Sequence, residues 1–131
     1  MIPGLRAFVL CLAAVAALSA CRAQQEPSPV GGPFRLTDQN GRTVTEKALD
    51  GKWTAVFFGF TYCPDVCPAT LQTLAEAQDR LGPKSRDFQV VLITVDPERD
   101  TPEALKAYLS SPAFPEGTIG LTGTPQQIAA V

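Results

Sequence analysis

Two cysteines four positions apart, Cys63 and Cys67, are the residues of this chain best equipped for chemistry. They stand in Thr61-Tyr62-Cys63-Pro64-Asp65-Val66-Cys67-Pro68, where an apolar run ends and a helical pattern begins. With a helical or nearly helical turn between them, both sulfurs lie on one face at a helix N-terminus. Unpaired N–H groups and the helix dipole favour thiolate there, so each pKa is expected to fall below the free value. Pro68 suits the first helical turn, where its missing N–H costs nothing. Such a pair can close a disulfide reversibly or hold a soft cation. Copper(I) and zinc are the soft candidates for thiolates. Zinc wants three or four protein ligands, whereas copper(I) prefers sulfur and accepts low coordination, so copper fits this pair better. A purely stabilising disulfide is the plainer alternative, but so short a loop constrains the unfolded chain very little.

Absences narrow the field further. The 131 residues include no histidine, which removes a Ser–His–Asp triad, a Cys–His protease pair and a His-rich metal site from this chain. Cysteines at 11, 21, 63 and 67 are too few and too unevenly spaced to staple a miniprotein. A net charge of −2 without basic runs argues against a nucleic-acid partner. The length admits one domain, and 45% hydrophobic residues is ordinary for a globular core.

The elements that must position the cysteines follow from patterning. Phe34 to Asp38 and Arg42 to Thr45 alternate around Asn40-Gly41, a hairpin signal because both turn residues tolerate positive φ. Trp53 to Phe60 is nearly continuous in apolar residues, which predicts a strand buried on both faces with Trp53 packed at its start. Leu71, Leu74, Ala75, Gln78 and Leu81 form a helical stripe that stops at Gly82-Pro83. Phe88 to Val95 is a second buried strand, followed by the charged loop Asp96 to Asp100. Thr101 caps a short helix with Pro102 in its first turn and Leu105, Tyr108 and Leu109 on its inner face. Thr118 to Leu121 is a short strand at most, and Thr124 to Gln127 has capping-box spacing. The helix that begins there is two turns old when the sequence stops, so the chain is expected to be a fragment of a longer protein.

Strands alternating with helices define an α/β fold, a central largely parallel sheet with flanking helices, preceded by an N-terminal β-hairpin. Ligands in such sheets bind beyond the carboxyl ends of the strands. The cysteine segment and Asp96-Pro97 each follow a strand directly and are expected to share that rim. Asp96 has two readings: a short polar residue before proline, or a negative charge near the thiols that raises their pKa.

Residues 1–20 carry one positive charge at Arg6 and an apolar stretch from Ala7 to Ala20, the layout of a signal peptide and short for a membrane span. Leu18-Ser19-Ala20-Cys21 resembles the bacterial lipoprotein cleavage box. On that reading Cys21 becomes the lipidated first residue; a free thiol after ordinary cleavage is the alternative. Cys11 would be discarded with the signal. Residues 21–32 then form a lipid-anchored flexible tether, polar and broken by proline. The expected location is the bacterial cell envelope, exported and membrane-anchored, on the periplasmic or extracytoplasmic side, where thiols oxidise unless kept reduced.

Three ordered blocks together resemble the Sco/SenC copper-chaperone family: Gly59 to Pro68, Leu92 to Glu103, and Gly120 to Thr124. The resemblance covers residues 33–131, and it implies a thioredoxin-like fold. It further implies copper as cargo, and help in assembling the dinuclear copper site of cytochrome c oxidase. The copper-accepting oxidase subunit and a thiol reductant or other copper donor are then the partners. In that family two cysteines and one downstream histidine bind copper; Cys63 and Cys67 match the two thiols. The histidine lies on a strand hairpin beyond the third block, so the final antiparallel strands and that third ligand are expected to be missing from this chain.

A metal carrier competes with two other readings. A membrane-anchored thiol–disulfide oxidoreductase would use the same sulfurs as a redox-active disulfide, keeping copper-site cysteines reduced. Such enzymes usually carry Cys-x-x-Cys, one residue tighter than this pair. A thiol peroxidase would draw on Cys67-Pro68-Ala69-Thr70, but Pro64 stands where its threonine is expected.

Overall fold

The computed structural model describes residues 31–131. The segment expected to be a signal at 1–20, the expected tether as far as residue 30, Cys11 and Cys21 lie outside the described residues. Alternating runs become five strands: β1 (Arg35–Asp38), β2 (Thr43–Thr45), β3 (Trp53–Gly59), β4 (Phe88–Thr94) and β5 (Ile119–Thr122). Three helices intervene or follow: α1 (Val66–Leu81), α2 (Pro102–Leu109) and α3 (Pro125–Ala129). The strands join in one sheet of order β2-β1-β5-β4-β3. Pairing is parallel across β5, β4 and β3, and antiparallel where β1 meets both β2 and β5. The sheet is therefore mixed, because the hairpin extends the parallel strands instead of standing apart from them.

The local stop and start signals act as their chemistry dictates. Thr101 Oγ1 accepts the N–H of Ala104, and Thr124 and Gln127 make both bonds of a capping box. The hairpin turn differs from its reading. Only Gly41 takes a positive φ there, 76°, and Asn40 does not. Asp38 Oδ1 accepts the N–H groups of Asn40 and Arg42, each at 2.8 Å, so an aspartate side chain organises a loop wider than two residues.

Strand pleat divides the core in two. Val90 and Leu92 of β4 face Leu71 of α1 and Leu105 of α2, while Val91 and Ile93 face Leu36 and Leu121 on the other side. β4 lies in the middle of the parallel segment and is buried on both faces, as its apolar run requires. β3 is not. It is an edge strand of the sheet among the described residues; Ala55 and Phe57 pack beneath the helices, but Phe58 is 53% exposed. Trp53 is 82% exposed, so it is not the packed residue expected at the strand's start. The cause is tertiary: Phe34, Val44 and Ile128 cover the second face over Leu36, Val91, Ile93 and Leu121, and the cover stops short of β3. Among the described residues no helix is long and apolar enough to cross a membrane.

Candidate functional site

β3 and β4 run in step from Trp53↔Phe88 to Gly59↔Thr94, so both end at the same level. The N–H of Val95 donates to the carbonyl of Gly59 at 2.9 Å, pinning the two loop starts together. The cysteine loop and the acidic loop thus leave one rim, where ligands of parallel sheets collect. In the cysteine loop the N–H of Cys63 closes a turn onto the carbonyl of Phe60 at 3.2 Å. α1 begins only at Val66, which puts Cys63 before the helix and Cys67 in its first turn.

The two thiols meet through the helix's unpaired donors. Asp65, the N-cap residue, makes no side-chain cap bond. Instead the N–H of Cys67 donates to Cys63 Sγ at 3.3 Å, so a sulfur serves as the cap acceptor. Both thiols are free, with Cys63 half-buried and Cys67 only 7% exposed. That difference separates their acidities. The Cys67 side chain and N–H, helped by the N–H groups of Asp65 and Val66, lower the pKa of Cys63. Burial raises that of Cys67, and the neighbouring Cys63 and Asp100 add to the rise. The expectation that both would fall holds for Cys63 and fails for Cys67, because desolvation outweighs the helix terminus there.

Gly59 explains how Cys67 comes to be buried. A Cβ at that position would lie 3.0 Å from Cys67 Sγ and 3.2 Å from the Phe57 ring. The end of β3 is bare so that the sulfur can rest on it, and a glycine ending an apolar strand was the visible sign.

The acidic loop holds its two carboxylates differently. Asp96 accepts from Arg99 Nε at 2.5 Å, and the Arg99 guanidinium lies over the Tyr62 ring, 4.8 Å from its centroid. Asp96 therefore reaches the cysteine loop through an arginine, on the exposed side of the rim. Asp100 is wholly buried. It accepts the N–H of Thr61 at 3.0 Å, the Thr61 hydroxyl at 2.5 Å and the Thr94 hydroxyl at 2.6 Å. The acidic charge bearing on Cys67 is this one. Nothing in Asp96-Pro97-Glu98-Arg99-Asp100 marks which aspartate turns inward. Tyr108 of α2 was legible only as a core residue. Its hydroxyl is buried with no partner among the described residues, and its pKa is pushed up to about 12, by burial first and then by Cys67, Cys63 and Asp100.

Among the described residues no three His, Cys, Asp or Glu side chains gather as a metal site. What the rim offers a soft cation is two sulfurs, one ready to become thiolate and one reluctant. That set suits copper(I) far better than zinc.

A mixed sheet flanked by helices, with a thiol pair where a strand hands over to a helix, defines a thioredoxin-like domain. The chain belongs to the SCO1/SenC family, whose profile matches residues 22–131. It is 48% identical over 103 residues to the mitochondrial protein SCO1 homolog 1 of Arabidopsis thaliana, covering 78% of this chain and 30% of that protein. The structure of Bradyrhizobium japonicum ScoI with copper bound superposes with a TM-score of 0.70 at 50% identity, covering 76% of this chain and 62% of that one. BsSco, described with a disulfide switch as a member of the Sco family of cytochrome c oxidase assembly proteins, superposes at 0.62 with 29% identity, over 74% of this chain and 58% of that one. The chain thus spans about a third of that curated relative and three-fifths of these solved chains.

Proposed function

We propose that this protein is a copper chaperone that carries copper(I) on Cys63 and Cys67 and helps assemble the dinuclear copper site of cytochrome c oxidase. The observation that carries the reading is the unequal thiol pair at the open rim. Cys63 is the more accessible of the two and already inclined to thiolate, so it meets the ion and later meets the acceptor's thiol. Cys67 is buried and gives up its proton reluctantly, so the bound state is held without being made irreversible. A carrier needs that compromise: transfer proceeds by ligand exchange, sulfur for sulfur. Copper bound in the Bradyrhizobium relative, at 50% identity, supports copper as the cargo. A titration of the fully reduced chain with copper(I) against a competing chelator tests it. One copper per chain is expected, with none retained by Cys63→Ser; a chain that leaves all copper with the chelator contradicts the reading.

Thiol exchange is the second reading, and the same asymmetry favours it. The more accessible sulfur, with its lowered pKa, attacks, and the buried partner resolves the mixed disulfide. The disulfide switch of BsSco supports it. Disulfide exchange at a useful rate without metal would put this role first. The two coexist readily, since copper binding requires the reduced pair. The accepting partner is then the copper-site subunit of the oxidase, and a thiol reductant or other copper donor acts upstream. Lipidation at Cys21 would tether the domain outside the cytoplasmic membrane, and mass spectrometry of the membrane-extracted protein tests that.

A further inference from the structure

Asp100 is the one wholly buried acid among the described residues, and no cation pairs with it. Burying a carboxylate costs several kcal/mol unless donors surround it. Here the donors are neutral and come from the two halves of the rim. Thr61 supplies its N–H and hydroxyl from the cysteine loop; Thr94 supplies its hydroxyl from the end of β4. The Thr94 hydroxyl has no freedom to turn away, because its oxygen also accepts the N–H of Asp96 at 3.0 Å. The result is a strap: acid loop to strand end to cysteine loop.

The strap matters because the two cysteines are fixed by different parts of the fold. Cys67 belongs to α1 and rests on Gly59. Cys63 sits on irregular chain between Phe60 and the helix, held by its own N–H bond to Phe60 and by the contact of its sulfur with the Cys67 N–H. Thr61 is the residue of that segment tied to the sheet by a side chain. We propose that Asp100 is the positioning residue of the thiol pair: through Thr61 and Thr94 it holds Cys63 at the right place against Cys67 and so sets how readily the two sulfurs join. Holding reacting groups in place raises their effective concentration. This rests on reading Cys63 and Cys67 as a working pair; it needs no copper.

Equilibration of the full chain with glutathione buffers tests it. In that exchange the Cys63–Cys67 bond forms as the bond of glutathione disulfide breaks, and two electrons and two protons pass to two glutathione thiols. Trypsin releases both cysteines on one peptide, Trp53 to Arg80, so alkylation and mass read the state of this pair alone. Asp100→Asn keeps the shape but turns an N–H₂ toward groups that themselves donate, and it also removes a buried charge. It is expected to fold and to lose about tenfold in the equilibrium constant for disulfide formation, about 30 mV toward easier reduction. Thr61→Val should lose less in the same direction, and Thr61→Ser, which restores the hydroxyl, should match the wild type. A folded Asp100→Asn or Thr61→Val with the wild-type constant overturns the proposal, as does Thr61→Ser falling with Thr61→Val. If Asp100→Asn fails to fold, the two Thr61 variants decide. Copper titration of the wild type fails or succeeds separately, so loss of the chaperone reading leaves this result standing.

Discussion

The two loops at the rim start level with each other, yet one is built to react and the other to stay put. The cysteine loop spends its donors on sulfur: the N–H groups at the head of α1 turn to Cys63, and its N-cap aspartate makes no side-chain cap. The acidic loop is tied internally. Arg99 and Asp100 both send their N–H groups to the carbonyl of Asp96, and Asp100 closes on two threonines. One loop is thus a template against which the other is held. The difference teaches that a reactive pair can take part of its support from the loop that follows the neighbouring strand.

The comparison can be broken at several points. Removing a sulfur has the largest effect. Cys67→Ser leaves Cys63 alone, and copper(I) affinity should fall by more than the roughly 10–100-fold typical of losing a ligand's outer partner; competition with a chelator measures it. Next comes the frame. Asp100→Ala leaves two buried hydroxyls and an N–H without their acceptor, and urea unfolding should show about 3 kcal/mol of lost stability. Gly59→Ala pushes a methyl against Cys67 Sγ and the Phe57 ring, and about 2 kcal/mol is expected by the same measurement.

The thiols themselves differ by less. Cys63 should be alkylated faster than Cys67 near neutral pH, because its pKa is lowered while burial raises that of Cys67. Because the Cys63 pKa is lowered, its reactivity persists as pH falls below the ordinary thiol range. That of Cys67 appears only above that range. Equal rates at every pH would erase the asymmetry. Smallest of all is the exposed pair: Asp96→Asn should change stability by less than about 1 kcal/mol, since surface ion pairs contribute little.

Much of this was readable from neighbouring residues alone. β4 carries six buried residues in a row, and Thr101 and Thr124 mark their helix starts with the hydroxyls that cap them. The cysteine pair was legible because a strand pattern stops and a helix pattern starts around it. What escaped was whatever depends on a distant partner. β3 has the same apolar composition as β4, but edge position decides its exposure, and no local pattern encodes that. Cys63 and Cys67 look alike in sequence; only the Gly59 contact makes one of them buried. Asp100 looks like any loop acid until Thr61, nearly forty positions upstream, turns its hydroxyl to it.

X-ray absorption at the copper edge, on the reduced chain loaded with one equivalent of copper(I), tests the central claim most directly. Two sulfur neighbours per copper are predicted, with one lost in Cys63→Ser. A first shell of nitrogen and oxygen alone, or a spectrum that Cys63→Ser leaves unchanged, would contradict it.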